Sequence, residues 1–307
     1  MEILSILLTV AGLCLFETIS SIDNAVINAD VLSTMKAKAR RWFLLWGLLF
    51  AVFVVRGLLP WLIVWMTIPS LGPVGAFMST FSSDPAVLAA IEESKPILLI
   101  GGGTFLVFLF FHWLFLEPKQ FGLRGERFIA SKGIWFYAIV SILLTFLVWA
   151  AINTHPLMAL GAVTGSTAFF ITHGFKQNAE EQERKLIKGD MSDISKILYL
   201  EVIDTTFSID GVLGAFAFTL SVPLILIGNG LGAFVVRELT IGNIERIKRY
   251  KYLKNGAMYS ILCLGTIMIS ESFDLRIFGH EIPNWVPPVA TFIVIGYFYC
   301  KSVREPK

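Results

Sequence analysis

The sequence predicts an all-α fold, a polytopic transmembrane bundle of about nine helices that includes an inverted repeat. The composition is the first observation behind this prediction. Hydrophobic residues make up 55% of the 307 residues and charged residues only 16%, and the mean hydropathy is +0.72, whereas soluble domains carry about 25% charged residues. The second observation is that apolar runs recur along the whole chain, and about 20 such residues suffice to cross a bilayer.

We expect spans wherever an apolar run approaches transmembrane length. They cover residues 3–32, 42–66, 97–116, 134–152, 157–175, 197–219, 222–242, 255–273 and 285–300. The first run is not expected to be a signal peptide, because no basic segment precedes it and it contains Glu17, Asp23 and Asn24. The net charge of +2 argues against nucleic acid as a partner. The three cysteines lie far apart, so neither a disulfide framework nor a zinc pair is indicated.

The distribution of basic residues predicts the orientation of the spans. Loops that follow the odd-numbered spans are rich in Lys and Arg, and the loops between them are not. The basic segments are 36–41, 119–132, 176–188, 246–254 and 301–307. Because positive loops stay on the cytoplasmic side, we expect the N-terminus outside and the C-terminus in the cytoplasm. The expected location is the inner (cell) membrane of a bacterium, as a multi-pass protein.

Two segments of the chain repeat each other. Residues 17–26 read E-T-I-S-S-I-D-N-A-V and residues 204–213 read D-T-T-F-S-I-D-G-V-L. A second pair, A-V-F-V-V-R at 51–56 and G-A-F-V-V-R at 232–237, follows in the same order. Spans one and six are predicted to cross in opposite directions, so the two units form an inverted three-span repeat. Transporters of this kind hold a polar site at the interface of their repeats.

The repeat divides the chain into five parts. They are a first repeat at 1–116, connecting spans at 117–175, a charged cytoplasmic linker at 176–196, a second repeat at 197–273 and a last span with its tail at 274–307. The composition of the linker favours a solvated connector over a partner surface. The glycines at 101–103 are expected to mark a close helix contact and not a phosphate loop, because no strand precedes them.

Carboxylates inside the spans carry the predicted chemistry. An acid in mid-membrane costs about 3 kcal/mol or more, and such acids are usually functional. The predicted metal ligands are Glu17, Asp23, Asn24, Asp204 and Asp210, and the supporting residues are Ser20, Ser21, Glu201, Ser208, Arg56 and Arg237. Two arginines cannot neutralise all of these acids, so bound cations or protons must do so. Oxygen ligands suit Mg²⁺, Ca²⁺ and Mn²⁺ better than Zn²⁺ or Cu²⁺.

Three points remain open at this stage. On one continuous helix Glu17 and Asp23 would point apart, so either a local break near residues 20–24 or a different neighbouring span for each acid would let both reach one cavity. The polar residues could instead join helices by hydrogen bonds without binding a metal. Arg56 and Arg237 could either pair with the acids or extend to the nearer membrane interface.

The two motifs resemble the signatures of the TerC family of tellurium-resistance-type membrane proteins, within the LysE-like exporter superfamily. The family pattern is roughly E-x-x-x-S-x-D-N followed by E-x-x-D-x-x-x-x-x-D-S. The match falls on Glu17, Ser21, Asp23, Asn24, Glu201, Asp204 and Asp210. Gly211 stands where the family commonly has Ser, and the extra length around spans four and five is typical of a divergent branch. The resemblance implies manganese export, at least by some relatives, against protons.

We therefore expect a secondary transporter that exports a divalent metal cation, with Mn²⁺ ahead of Ca²⁺ and Mg²⁺, and no other cofactor. The expected partners are the lipid bilayer, the cation and protons, and a homo-oligomer is left open. The alternative is a TerC-like membrane scaffold for a stress-response or membrane-insertion complex. An intramembrane enzyme is not expected, because the sequence contains neither H-E-x-x-H nor G-x-S-x-G.

Overall fold

The chain was analysed as a computed structural model. The structure describes residues 2–47, 49–50, 54, 56–78, 85–119, 122–188, 192–242, 250–275 and 282–305. Side chains at some of these positions, including Asp23, Asn24 and residues 176–188, lie outside the described part. The described residues are helical and include no strand, which confirms the predicted all-α class.

We number the α-helices in chain order. They are α1 (Glu2–Ser20), α2 (Ile22–Ser33), α3 (Ala37–Trp42), α4 (Arg56–Thr67), α5 (Gly72–Met78), α6 (Pro85–Leu116), α7 (Arg124–Ala130), α8 (Trp135–Thr154), α9 (Pro156–Lys188), α10 (Asp193–Ala215), α11 (Val222–Gly242), α12 (Leu253–Ser272) and α13 (Val286–Arg304). A π-helical segment, Phe43–Gly47, follows α3, and a 3₁₀ turn, Pro69–Leu71, precedes α5.

Several helices are long and apolar enough to cross a membrane, so the chain is a membrane protein by length and composition. Within the described residues five helices qualify: Ile3–Ser20, Ala89–Leu116, Trp135–Thr154, Pro156–Phe175 and Val286–Arg304. A sixth arises if the bent pair Arg56–Thr67 and Pro69–Phe77, which turns by 104°, counts as one span. The helices α10, α11 and α12, which coincide with predicted spans six to eight, are not among the helices that qualify within the described residues. Of these, α10 contains the acids Glu201, Asp204 and Asp210.

The core of the bundle forms around α6, which packs against α9 and α12. Glycines allow the backbones of these helices to approach each other closely. A Cβ on Gly161 of α9 would lie 2.7 Å from the carbonyl oxygen of Ile97, and one on Gly103 would lie 2.9 Å from that of Gly265 in α12. The predicted helix contact at residues 101–103 is therefore confirmed.

The helices that build the polar region differ from the predicted spans at two places. The first span is interrupted at Ser21 (φ −88°, ψ 2°), where a break was one of the two alternatives, although hydrogen bonds from Ser21 N to Glu17 O and from Ala25 N to Ser21 O continue across it. The segment 176–196, predicted as a linker, is largely helical, because α9 runs on to Lys188 and α10 begins at Asp193. The hydroxyl of Ser192 caps α10 by accepting from Ser195 N.

Candidate functional site

A polar cavity lies where α1, α2, α10, α11, the start of α4 and the π-helical segment meet. Its polar lining is Glu17, Ser21, Asn28, Arg56, Glu201, Asp204 and Arg237, and its remaining wall is Leu32, Phe43, Leu44, Gly47, Ala233 and Val236. The cavity has about 570 Å³ of empty space, including its open mouth. Side chains from both sequence repeats therefore converge on one space inside the bundle.

One guanidinium joins the acids of the two repeats. Arg56 donates to Glu17 Oε1 through Nε at 3.0 Å and Nη2 at 2.6 Å. Its Nη1 lies 3.6 Å from Asp204 Oδ2, which is an ion pair too long to be a hydrogen bond. Arg56 and Glu17 are almost fully buried, with 4% and 1% of the side chain exposed, and Asp204 is 15% exposed. As expected from the repeat, Glu17 and Asp204 lie close together.

The Glu17 carboxylate is bound unevenly at its two oxygens. Oε1 also accepts from the Ser21 hydroxyl at 2.8 Å, one turn along the helix. Oε2, in contrast, has no hydrogen-bond partner within the part of the chain that the structure describes. One oxygen of this acid is thus fully occupied by protein groups, and the other remains available to a further donor or to a cation.

Glycines bring the surrounding helices against this carboxylate. A Cβ on Gly211 of α10 would lie 2.6 Å from Glu17 Oε2, and one on Gly232 of α11 would lie 2.6 Å from Glu17 Cβ. Gly47 of the π-helical segment packs in the same way against Glu201 Oε1. The glycine at 211, where the TerC pattern has Ser, therefore leaves Glu17 Oε2 without a side chain that would cover it.

Unsatisfied polar atoms concentrate at the cavity. Such atoms are rare in buried positions, and an ion or water commonly satisfies them. Among the described residues, the cavity-lining atoms without a hydrogen-bond partner are Glu17 Oε2, Asn28 Oδ1, Arg56 Nη1, Glu201 Oε1 and Arg237 Nε. Three are oxygen acceptors and two are guanidinium donors. With three carboxylates against two guanidiniums, the lining carries a net charge of −1 when all of its groups are ionised.

The structure brings together most, but not all, of the residues singled out from the sequence. Six of them line the cavity. Of the two alternatives left open for Arg56, the structure shows that this arginine pairs with the acids and does not extend to the membrane interface. Ser20 and Ser208 make local hydrogen bonds, donating to the backbone oxygens of Glu17 and Asp204. Asp210 does not line the cavity. The side chains of Asp23 and Asn24 lie outside the described residues.

No preformed metal cage is visible in the described part of the chain. No group of three or more His, Cys, Asp or Glu side chains there is arranged to hold a metal ion. The cavity offers carboxylate and amide oxygens around a guanidinium, so a divalent cation could bind there only if water supplied further ligands or if the side chains rearranged. A hydrated hard cation fits this donor set better than a soft metal.

Sequence reasoning missed two buried polar groups. Asn229 on α11 is fully buried, and neither atom of its amide has a hydrogen-bond partner among the described residues. Glu126 on α7 is 2% exposed and accepts from Asn255 Nδ2 at 2.7 Å, Tyr259 Oη at 3.0 Å and Leu123 N at 3.1 Å. The signal for Glu126 was weak, because this residue lies within the basic segment 119–132, which was expected to be a cytoplasmic loop, and belongs to neither copy of the repeat.

Comparisons with known proteins place the chain in a family. No curated protein and no solved structure matches it. A family model described as "Protein of unknown function (DUF475)" matches residues 22–307. The match covers the second repeat and predicted spans four, five and nine, which lie outside the TerC resemblance, and it begins just after Glu17 and Ser21. Because the match extends over most of its length, the chain belongs to the DUF475 family of proteins of unknown function.

Proposed function

We propose that this chain is a secondary transporter that exports a divalent metal cation, Mn²⁺ first, through the polar cavity. The observation that carries the proposal is the excess of carboxylates around this cavity. Glu17 and Glu201 each present a buried oxygen without a hydrogen-bond partner in the described part of the chain, and the lining has a net charge of −1. Buried negative charge is costly in a membrane, and a bound cation offsets that cost.

The chemistry of the donors favours a hard cation. Glu201, Asp204 and Asn28 offer carboxylate and amide oxygens to the cavity. Magnesium, calcium and manganese prefer such ligands. The resemblance to the TerC family gives Mn²⁺ precedence among them and adds proton coupling to the proposal. Asp23 and Asp210 belong to the same proposed pathway, on the segments next to the cavity.

An inverted repeat of nine spans accounts for the shape of the site. Residues at matching repeat positions, Glu17 with Asp204 and Arg56 with Arg237, line the same cavity, as a site at a repeat interface requires. In the proposed topology the basic segment 36–41 is cytoplasmic. The cavity wall at Leu32, Phe43 and Leu44 flanks that segment, so the cavity would face the cytoplasm. An exporter loads its substrate from that side.

A membrane scaffold is the second candidate, and one contact favours it. Arg56 and Ser21 together supply three hydrogen bonds to Glu17. The charge of this acid is therefore balanced without a metal, as in a structural ion pair that holds α1 against α4. In a scaffold the remaining acids would need only hydrogen bonds, and amides would serve as well as carboxylates.

Transport of Mn²⁺ into proteoliposomes separates the two candidates. We expect Glu201→Gln, Asp23→Asn and Asp210→Asn to lower the initial rate at least about tenfold while the protein remains folded, because each removes a negative charge from the pathway. The matched control is Glu93→Gln, an exposed acid on α6 outside the cavity, which should transport as the wild type does. Rates measured at several pH values in wild type and Glu17→Gln test the proton coupling.

Full activity in all three amide variants would refute the assignment of these acids. A wild-type protein that moves no divalent cation would leave the scaffold as the better reading. A rate in the Glu93→Gln control as low as in the site variants would show that loss of any acid impairs the protein, and that result would also refute the assignment.

A further inference from the structure

Arg56 lies where a cation between the two repeats would lie. Its guanidinium contacts Glu17 Oε1 at 2.6 Å and Asp204 Oδ2 at 3.6 Å, and it is almost completely buried. It is thus a positive charge placed between the two carboxylates that the repeat brings together. A metal ion and the guanidinium cannot both occupy this position.

The ion pair is incompletely satisfied, unlike a well-built structural pair. A buried pair stabilises a fold only when the remaining donors and acceptors also find partners. Here Arg56 Nη1 and Glu17 Oε2 have no hydrogen-bond partner among the described residues. The contact to Asp204 is too long to be a hydrogen bond. The pair therefore leaves groups on both sides that another partner could satisfy.

The neighbouring cavity has room for the Arg56 side chain when it leaves the two carboxylates. Arg56 is the first residue of α4 and itself lines the cavity, as does Arg237, its counterpart in the second repeat. Glu201 also lines the cavity and presents an oxygen without a hydrogen-bond partner in the described part of the chain. A guanidinium that leaves Glu17 and Asp204 can thus remain near a carboxylate and does not have to enter lipid.

We propose that Arg56 is a tethered counter-cation, which neutralises Glu17 and Asp204 in the metal-free protein and is displaced into the cavity when a divalent cation binds between them. This role rests on the proposed function. It avoids leaving two buried acids without a positive charge after the metal departs. It also weakens metal binding, because the incoming ion must first displace the arginine. Release on the far side is easier for the same reason.

If Arg56 competes with the metal, its removal should strengthen Mn²⁺ binding and slow Mn²⁺ transport. We expect Arg56→Gln to bind Mn²⁺ about tenfold or more tightly than the wild type, because close buried charges couple strongly. The same variant should transport Mn²⁺ more slowly, since release is no longer assisted. Damage to the fold would weaken binding and transport together. Arg56→Lys keeps a tethered positive charge and should remain close to wild-type affinity.

The experiment is a titration of the purified full-length chain in detergent with Mn²⁺, in which the electron paramagnetic resonance signal reports free Mn²⁺. The matched control is Arg304→Gln, an exposed arginine at the end of α13, which should bind as the wild type does. If Arg56→Gln does not fold, Glu17→Gln is compared with the double variant Glu17→Gln/Arg56→Gln, which removes both charges of the pair. The double variant should then bind more tightly than Glu17→Gln alone.

The outcomes distinguish failure of the proposed role of Arg56 from failure of the proposed transport function. Unchanged or weaker Mn²⁺ binding in folded Arg56→Gln, while the wild type binds and transports, overturns the role of Arg56 and leaves the proposed function standing. Tighter binding in Arg56→Lys as well would show that charge is not the competing property, and the proposal fails. If neither the wild type nor any variant binds or transports a divalent cation, the proposed function and the role of Arg56 fail together.

Discussion

Gly232 determines how closely α11 approaches α1 beside the cavity. A Cβ at this position would lie 2.6 Å from Glu17 Cβ, 2.8 Å from Glu17 Cγ and 2.8 Å from the carbonyl oxygen of Cys14. Ordinary contacts begin at 3.4 Å. Two of these atoms, Glu17 Cβ and Cys14 O, cannot move by a side-chain rotation. The substitution Gly232→Ala must therefore push the two helices apart by about 0.6–0.8 Å to bring 2.6 and 2.8 Å up to 3.4 Å.

The effect of Gly232→Ala on stability is best measured relative to the same substitution at another helical glycine. Overpacking of a close contact costs about 1–3 kcal/mol. Alanine also gains about 1 kcal/mol over glycine from helix propensity in a helix interior, where both Gly232 and Gly174 lie. Among the described residues, Gly174 on α9 has no neighbouring atom within 4 Å of its Cβ position, so Gly174→Ala receives the gain without the cost. The difference between the two variants therefore isolates the contact between α1 and α11.

We expect Gly232→Ala to unfold about 2–6 °C below Gly174→Ala, at about 2 °C per kcal/mol for a chain of this size. The assay is thermal unfolding in detergent, monitored with a dye that fluoresces on reaction with thiols. The native Cys14 and Cys263, both partly buried, report the unfolding. A Gly232→Ala protein that unfolds at or above the temperature of Gly174→Ala would refute the proximity of α1 and α11 at Glu17.

Three further predictions concern a buried carboxylate, the proposed topology and a partly buried lysine. Glu126→Ala removes the acceptor of three hydrogen bonds. Because a hydrogen bond to a charged group contributes about 1.5–3 kcal/mol, this variant should lower the free energy of unfolding in detergent by at least about 3 kcal/mol. Unchanged stability would contradict the hydrogen-bond network around Glu126. A cysteine at position 185, in a chain without its native cysteines, should resist an impermeant thiol reagent added outside intact cells, and its labelling there would overturn the proposed topology. Burial, as the largest cause, lowers the pKa of Lys119 from 10.5 to about 8. At Lys119 the unfolded chain then binds more protons than the folded one between these values, so the contribution of this side chain to stability should rise with pH from about 8 to about 10.5. A midpoint near 10.5 for the methyl-labelled amine in NMR would refute the burial of this side chain.

The helical class, the membrane location and most polar residues of the cavity followed from the sequence alone, although Asn28 was not singled out and Asp210 does not line the cavity. Composition and apolar run length are properties of short segments, and they survive in any arrangement of those segments. The repeated motif also predicted that Glu17 and Asp204 would lie together, and one guanidinium contacts both. The interruption at Ser21 agrees with one of the two alternatives that the angle between Glu17 and Asp23 on a helix left open.

Only the tertiary structure decided which charges meet. Arg56 and Glu17 are 39 residues apart, and Glu126 and Asn255 are 129 apart. No local pattern specifies such pairs, because they depend on which helix faces pack together and how closely. Glycines at 47, 211 and 232 set those distances, and each is recognisable as a contact only when its neighbour is known. The sequence therefore singled out most of the polar residues that line the cavity, whereas packing decided that an arginine lies between two of the acids.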